Sequence, residues 1–215
     1  MTIRYHISDD LLVAYEAGGL AEGWSLAVAT HLALCPHCRA RSRQAAAIGG
    51  ALIELLPPAE IEEDALASVL ARLGSVEPAG RTPPVVGGSR VIPDPLRSYV
   101  GDLPDIRWRR LGMNSRHLLV ETGDPLTRVR LLCIPAGESV PEHGHRGREL
   151  TLVLAGRLID GDVSFVRGDL EDADEALEHH PVAGPEEDCI CLAVTNAPLR
   201  FKSRFVRLIQ PFLGI

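Results

Sequence analysis

Residues 137–156 read GESVPEHGHRGRELTLVLAG. The middle of this stretch places His143 and His145 two positions apart, with Glu149 four further on. On an extended strand, residues two apart point to the same face. Glu149, an even distance away, returns to that face if the strand continues or is bridged by a turn. The second half, 150–155, is a short apolar run closed by Gly156, the pattern of a buried strand. Comparable runs occur at 128–134, 189–195 and 200–206, each between turn residues, and no helical stripe of useful length interrupts them from residue 96 onward. An antiparallel sandwich or small barrel fits this pattern best. Two imidazoles and a carboxylate converging inside such a fold form a divalent-metal site. A further ligand has to come from another strand. His179 and His180, just before Pro181, are both available.

Upstream of residue 74 the period is helical. Ser8-Asp9-Asp10 offers an N-cap with early acidic charge, followed by Leu11, Leu12 and Tyr15, and Gly18-Gly19 ends this first helix. Trp24, Val28, His31 and Cys35 share one face of a second helix. Pro36 suits the first turn of a third, whose stripe of Ile48, Leu52 and Leu55 runs to Pro57-Pro58. A fourth helix carries Leu66, Val69, Leu70 and Leu73 on one side. Residues 74–95, rich in Gly and Pro, read as a semi-stiff linker. The chain therefore divides into a helical domain (1–73), a linker (74–95) and a β domain (96–215).

The helical part has its own ligand spacing. His31 and Cys35 lie four apart on one helix face, and Cys38 follows at the junction with the next helix, whose N-terminal dipole favours thiolates. One more ligand closes a tetrahedral site, and His6 is the candidate. A zinc ion held by two thiolates and two neutral imidazoles carries no net charge, so it can staple a small domain without a counter-ion. His37, between the two cysteines, is expected to point elsewhere.

Composition limits what such a chain can do. The 215 residues are 46% hydrophobic and 24% charged, which excludes disorder and fibrous repeats. A formal charge of −7 argues against a protein that works by neutralising phosphates. Nothing approaches the length of a membrane span, and residues 1–8 contain no apolar leader core, so a cytoplasmic protein without membrane contact is expected. Five cysteines, an odd number, in that setting point to metal or redox chemistry rather than a disulfide framework. Cys189 and Cys191 share a strand face and are candidate redox residues if they face the metal, or small core residues if they do not. Residues 160–188 hold eleven acidic side chains against one arginine and read as a solvated rim.

The pattern Gly137-x5-His143-x-His145-x3-Glu149-x6-Gly156 resembles the first motif of the cupins, antiparallel β-barrels of the double-stranded β-helix type that hold a metal with three His and one Glu. Of the second cupin motif only the histidine is present. Combined with His6, His31-x3-Cys35-x2-Cys38, Cys189-Ile190-Cys191 and the ending Gln210-Pro211-Phe212-Leu213, the chain resembles the ChrR-type zinc-binding anti-sigma factors over nearly its whole length. That resemblance implies a small all-α zinc-binding domain followed by a cupin sensor. It implies Zn2+ on His6, His31, Cys35 and Cys38. A second divalent metal, taken as Zn2+, falls on His143, His145, Glu149 and His179. The implied function is one-to-one sequestration of a group IV (extracytoplasmic-function) sigma factor by the zinc domain, with the cupin responding to oxidative stress such as singlet oxygen and bringing about sigma release. Direct DNA binding is not expected. Independently, residues 1–73 carry nine acidic against five basic side chains, suited to covering a basic, promoter-reading surface on another protein. The helix over 63–73 has two possible fates, docking into such a partner or packing on its own domain. The rival reading is a metal-dependent cupin enzyme, a dioxygenase or isomerase, with an accessory zinc domain.

Overall fold

The computed structural model describes residues 2–75, 91–112 and 114–202. Most of the expected linker and the ending Gln210-Pro211-Phe212-Leu213 lie outside the described residues, as does the second part of the apolar run at 200–206.

The helices come first: α1 (Asp9–Glu16), α2 (Glu22–Leu34), α3 (Pro36–Glu54) and α4 (Ala65–Ser75). Ser8 occupies the N-cap position of α1, yet its hydroxyl makes no capping bond. It accepts instead from the Arg148 guanidinium at 3.2 Å, so a tertiary contact outcompetes the local one. Cys35 ends α2 and caps α3, its Sγ accepting from the Cys38 N–H at 3.4 Å, with Pro36 in the first turn. Gly49-Gly50 neither breaks α3 nor ends it. Ion pairing of Arg41 with Asp9 and a Ser42–Glu16 hydrogen bond tie α3 back to α1.

A further short helix, α5 (Asp94–Val100), spans the expected start of the β domain. Its two prolines explain the miss: Pro93 sits at the N-cap and Pro95 within the first turn, where the lost N–H has no helical partner in any case.

The strands follow as β1 (Arg109–Leu111), β2 (Ser115–Val120), β3 (Arg128–Ile134), β4 (His143–Gly144), β5 (Glu149–Ala155) and β6 (Arg157–Asp160). After them come β7 (Val163–Val166), β8 (Leu170–Ala173), β9 (Glu178–His179), β10 (Val182–Ala183), β11 (Cys189–Thr195) and β12 (Arg200–Phe201). They form a six-stranded antiparallel sheet in the order β1-β2-β3-β11-β5-β8, and two three-stranded sheets, β10-β6-β7 and β12-β4-β9. This is the cupin arrangement of facing antiparallel sheets. Gly156, between β5 and β6, has a φ of +68°, and a Cβ there would lie 2.5 Å from the Asp188 carbonyl oxygen. Only glycine makes that corner.

The large sheet has two buried faces. Along β3, Val129, Leu131 and Cys133 point to one side, and Arg130, Leu132 and Ile134 to the other. On β5 and β11 the same alternation separates Leu150, Leu152, Leu154, Ile190, Leu192 and Val194 from Glu149, Thr151, Cys191 and Ala193. The first set packs against Ile7, Leu11, Leu12, Leu26, Val28 and Leu96, so one core runs through helices and sheet alike. The second set faces the small sheets and lines the interior. Each fully buried aliphatic side chain in the shared core contributes about 1.5–3 kcal/mol.

Not all of the helical part takes part. From Ala46 to Leu73 every side chain is exposed except half-buried Ala65. Ile48, Leu52, Ile53, Leu55, Leu56, Ile61, Leu66, Val69, Leu70 and Leu73 lie uncovered on this arm. Of the two fates left open for the last helix, packing on its own domain is not the one observed. No helix among the described residues is long and apolar enough to cross a membrane.

Candidate metal centres

Two clusters of ligand-type side chains are assembled. In the first, one atom each from His6, His31, Cys35 and Cys38 lies within 4.8 Å of every other. His6 Nδ1 is 3.4 Å from Cys35 Sγ and 3.5 Å from Cys38 Sγ. Zinc bond lengths of about 2.0–2.3 Å in a tetrahedron require edges of roughly 3.3–3.8 Å, so the residues fit the ion. The cysteines are reduced and buried. His31 is fully buried, and neither ring nitrogen makes a hydrogen bond of normal geometry to protein. Such an orphaned polar side chain is costly unless a cation takes one nitrogen. The Gly168 carbonyl lies beside the ring, where it supports the positive end. Burial lowers the His31 pKa to about 4, so the imidazole is neutral, as a ligand must be. Burial and the neighbouring Cys35 push the Cys38 thiol up. The helix terminus alone therefore does not yield a thiolate there, and a cation is needed to displace the proton. His37 is exposed and outside the cluster, although its ring stacks 4.7 Å from that of His6.

The second cluster brings His143, His145, Glu149 and His179 together, all buried, again within 4.8 Å. His143 and His179 are register partners across β4 and β9. His179 Nε2 lies 3.0 Å from His143 Nε2 and 3.1 Å from His145 Nε2. Strand alternation turns the next residue, His180, away to an exposed position. Glu149 opens β5 after a turn rather than continuing the strand of His143. Burial lowers the pKa of His143 and His145 to about 4 and raises that of Glu149 to about 7. With His179 Nε2 about 3 Å from both other ring nitrogens and a buried carboxyl beside them, the set is uncomfortable in isolation and a fitting one for a divalent ion.

Several contributors were not read from the sequence. His179 Nδ1 faces Asp160 at 3.1 Å and Glu171 at 3.6 Å. Burial opposes protonation of His179, yet these carboxylates raise its pKa overall. Both belong to the acidic stretch expected to be a solvated rim. That expectation is corrected here: β7 to β10 run through it, and Asp169 and Glu171 are buried. Charge composition hides them: Glu171 is an inward residue of the short strand β8, and Asp169 lies just before that strand. Cys189 and Cys191 face the interior, and Cys191 lines the same cavity as Glu149 and His179. A hydrogen bond with Cys189 and burial push the Cys191 thiol well up. Cys133 is buried on the opposite face.

The two clusters are mechanically linked. Asp169, fully buried, accepts from the backbone N–H of Arg4 at 2.6 Å and Tyr5 at 3.1 Å, and Leu170 donates to the Tyr5 carbonyl at 3.2 Å. The segment preceding His6 is thus fastened to β8. Gly168 permits this approach, since a Cβ there would meet Ile3 at 2.5 Å. Arg148, next to Glu149, binds Asp172 through two nitrogens at 2.7 and 2.6 Å and reaches Asp10 on α1 at 3.0 Å.

A helical junction packed on a cupin sheet, each carrying a set of side chains that could hold a metal ion, defines a fused helical and cupin architecture. Comparison with known proteins agrees. The model of the ChrR cupin-like domain family matches residues 97–198. The anti-sigma-E factor ChrR of Cereibacter sphaeroides is 51% identical over the full length of both chains. The crystal structure of Rhodobacter sphaeroides SigE in complex with the anti-sigma ChrR superposes with a TM-score of 0.81 at 49% identity, covering 90% of this chain and all of that one. The chain belongs to the ChrR family of anti-sigma factors.

Proposed function

We propose that this protein sequesters a group IV sigma factor in a one-to-one complex, using its helical part, and that the cupin part governs release under oxidative stress. The observation that carries the reading is the arm from Ala46 to Leu73, whose apolar side chains lie uncovered and whose first part continues the helix that starts at the Cys/His cluster. A helical arm of this kind is suited to lie in a groove of a partner, and leaving ten large apolar side chains in water otherwise has no return. The negative balance of residues 1–73 complements a basic, nucleic-acid-binding partner. The relative's occurrence in a complex with SigE supports the same assignment.

In this reading His6, His31, Cys35 and Cys38 hold Zn2+, which staples the start of the chain to the α2–α3 junction and sets the angle at which the arm leaves the body. His143, His145, Glu149 and His179 hold a second divalent ion, for which Zn2+ is the reading taken. When bound, that ion supplies a charge centre whose loss or rearrangement destabilises its ligands. Glu149 then shifts β5 and with it Arg148, and the change passes to α1 through Asp10 and to the segment before His6 through β8 and Asp169. Cys191, in the same cavity, is a candidate participant in the oxidative step. The protein's expected location is the cytoplasm, where the sigma factor works.

Co-expression with a group IV sigma factor from the same organism, followed by gel filtration and metal analysis, tests the proposal. A stoichiometric complex containing zinc, lost when Leu66, Val69 and Leu70 are changed together to Ser, is the expected result. A metal-loaded chain that leaves the sigma factor free breaks it.

A further inference from the structure

His179 meets its neighbours through both ring nitrogens. Nε2 points into the cupin cluster, 3.0 Å from His143 Nε2 and 3.1 Å from His145 Nε2. Nδ1, on the other side of the ring, faces Asp160 Oδ2 at 3.1 Å. An imidazole that gives one nitrogen to a cation keeps its single N–H on the other. That N–H needs an acceptor, because the His179 side chain is only 2% exposed. Asp160 stands within hydrogen-bond distance, whereas Glu171 Oε1 lies further off at 3.6 Å. His143 is held in the same manner, with Nε2 inward and Nδ1 against the Pro141 carbonyl at 2.8 Å. The difference lies in where the acceptor comes from. Pro141 is two residues from His143 along the same segment, while Asp160 ends β6, nineteen residues from His179. Its other oxygen accepts from the His180 backbone N–H at 3.4 Å. β6 is itself fixed by pairing with β7 and β10, Asp160 opposite Val163 and Ile159 opposite Val182. Asp160 therefore grips the His179 ring and the backbone just after it, from a strand that carries none of His143, His145, Glu149 and His179.

We infer that Asp160 is a positioning residue for the cupin centre, accepting the Nδ1–H of His179 so that Nε2 stays turned to the cation. β9 is only two residues long, so backbone pairing does little to fix the ring by itself. A carboxylate at Nδ1 sets which nitrogen carries the proton, fixes the ring plane and strengthens Nε2 as a donor. Retention of the cupin cation, and with it the release step proposed above, is then governed from β6 as well as from the ligands. The inference rests on the metal reading of the cupin.

The test is chelator competition on the full chain, loaded with zinc and checked by metal analysis, with histidine 1H–15N NMR spectra of the same samples. The cupin equivalent is identified as the one that His143→Ala loses. Asp160→Ala should weaken that equivalent at least about tenfold and remove the slowly exchanging Nδ1–H signal of His179. Asp160→Asn, which keeps an acceptor oxygen without the charge, should retain that signal and fall between the two in affinity. Glu171→Gln, a near-isosteric change at the more distant carboxylate, should cost less than Asp160→Ala. Undiminished cupin affinity in Asp160→Ala, or a larger loss from Glu171→Gln, overturns the inference and leaves the metal reading standing. So does an Asp160→Asn chain no better than Asp160→Ala in both readouts. A third zinc equivalent in the unaltered chain, lost in Asp160→Ala, would make Asp160 a ligand and overturns the inference too. An unaltered chain whose cupin takes up no zinc breaks the metal reading and this inference with it.

Discussion

The two clusters of ligand-type side chains are assembled in opposite ways. At the helical junction, three of four ligands fall within eight residues of sequence, at the end of one helix and the start of the next. Two thiolates would neutralise a zinc ion there, and the site is closed. In the cupin, the ligands come from β4, the turn after it, β5 and β9, with one potential negative charge among them, and they adjoin a cavity. The local site can act as a staple because the chain reaches it with little loop closure. The non-local cluster depends on three segments keeping register. What joins them is the shared core and a few polar bridges around Asp169 and Arg148.

The strongest attempt to break this contrast is Cys38→Ala. Structural zinc sites contribute on the order of 10 kcal/mol, so the helical junction should lose its metal and sigma binding should fall more than about 100-fold, measured by calorimetry with metal analysis alongside. Next comes the bridge. Asp169→Ala leaves the backbone N–H groups of Arg4, Tyr5 and Val166 without the buried carboxylate that accepts from them. A loss of about 2–3 kcal/mol in urea unfolding is expected, with weaker metal retention at His6.

Acidity separates the sites more finely. The Glu149 carboxyl, raised to about 7 by burial, binds a proton below that pH, and the proton competes with a cation. Cupin zinc affinity should therefore drop about tenfold per pH unit below about 7 and level off above it. The junction site should keep gaining affinity past that point, because burial holds the Cys38 thiol protonated there. Chelator competition from pH 6 to 8.5 reads both curves, and parallel curves would remove the distinction. The smallest effect is expected from His143→Ala. It should empty the cupin site and, by the proposed route through Glu149, Arg148 and Asp169, lower resting sigma affinity about fivefold, far less than loss of the junction metal does. An unchanged affinity would break that route.

Much of this was legible along the chain. The His143/His145 and His31/Cys35 spacings carry their geometry with them, because strand and helix periods fix which residues share a face, whereas Glu149 and Cys38 reach their clusters across a turn and a helix junction. Strands β3, β5 and β11 were readable as apolar runs, being covered on both sides. By contrast β8, Leu-Glu-Asp-Ala, gives no such signal. Its Glu171 is buried through pairing with β5 and its approach to His179, not through any preference of its own. Asp160 was missed for the same reason: only the pairing of β6 with β7 and β10 brings it to His179.

The sequence by itself marked His6, His31, Cys35, Cys38, His143, His145 and Glu149 as candidate ligands, and it carried the succession of helix and strand and the apolar face of the arm, since these follow from local spacing and backbone period. Only the tertiary structure decided between His179 and His180, through the register of β4 with β9. It also decided that the helices and the cupin share one core while the arm stays bare. Those outcomes depend on which distant surfaces meet, and contacts between residues far apart in the chain leave no periodic trace in it.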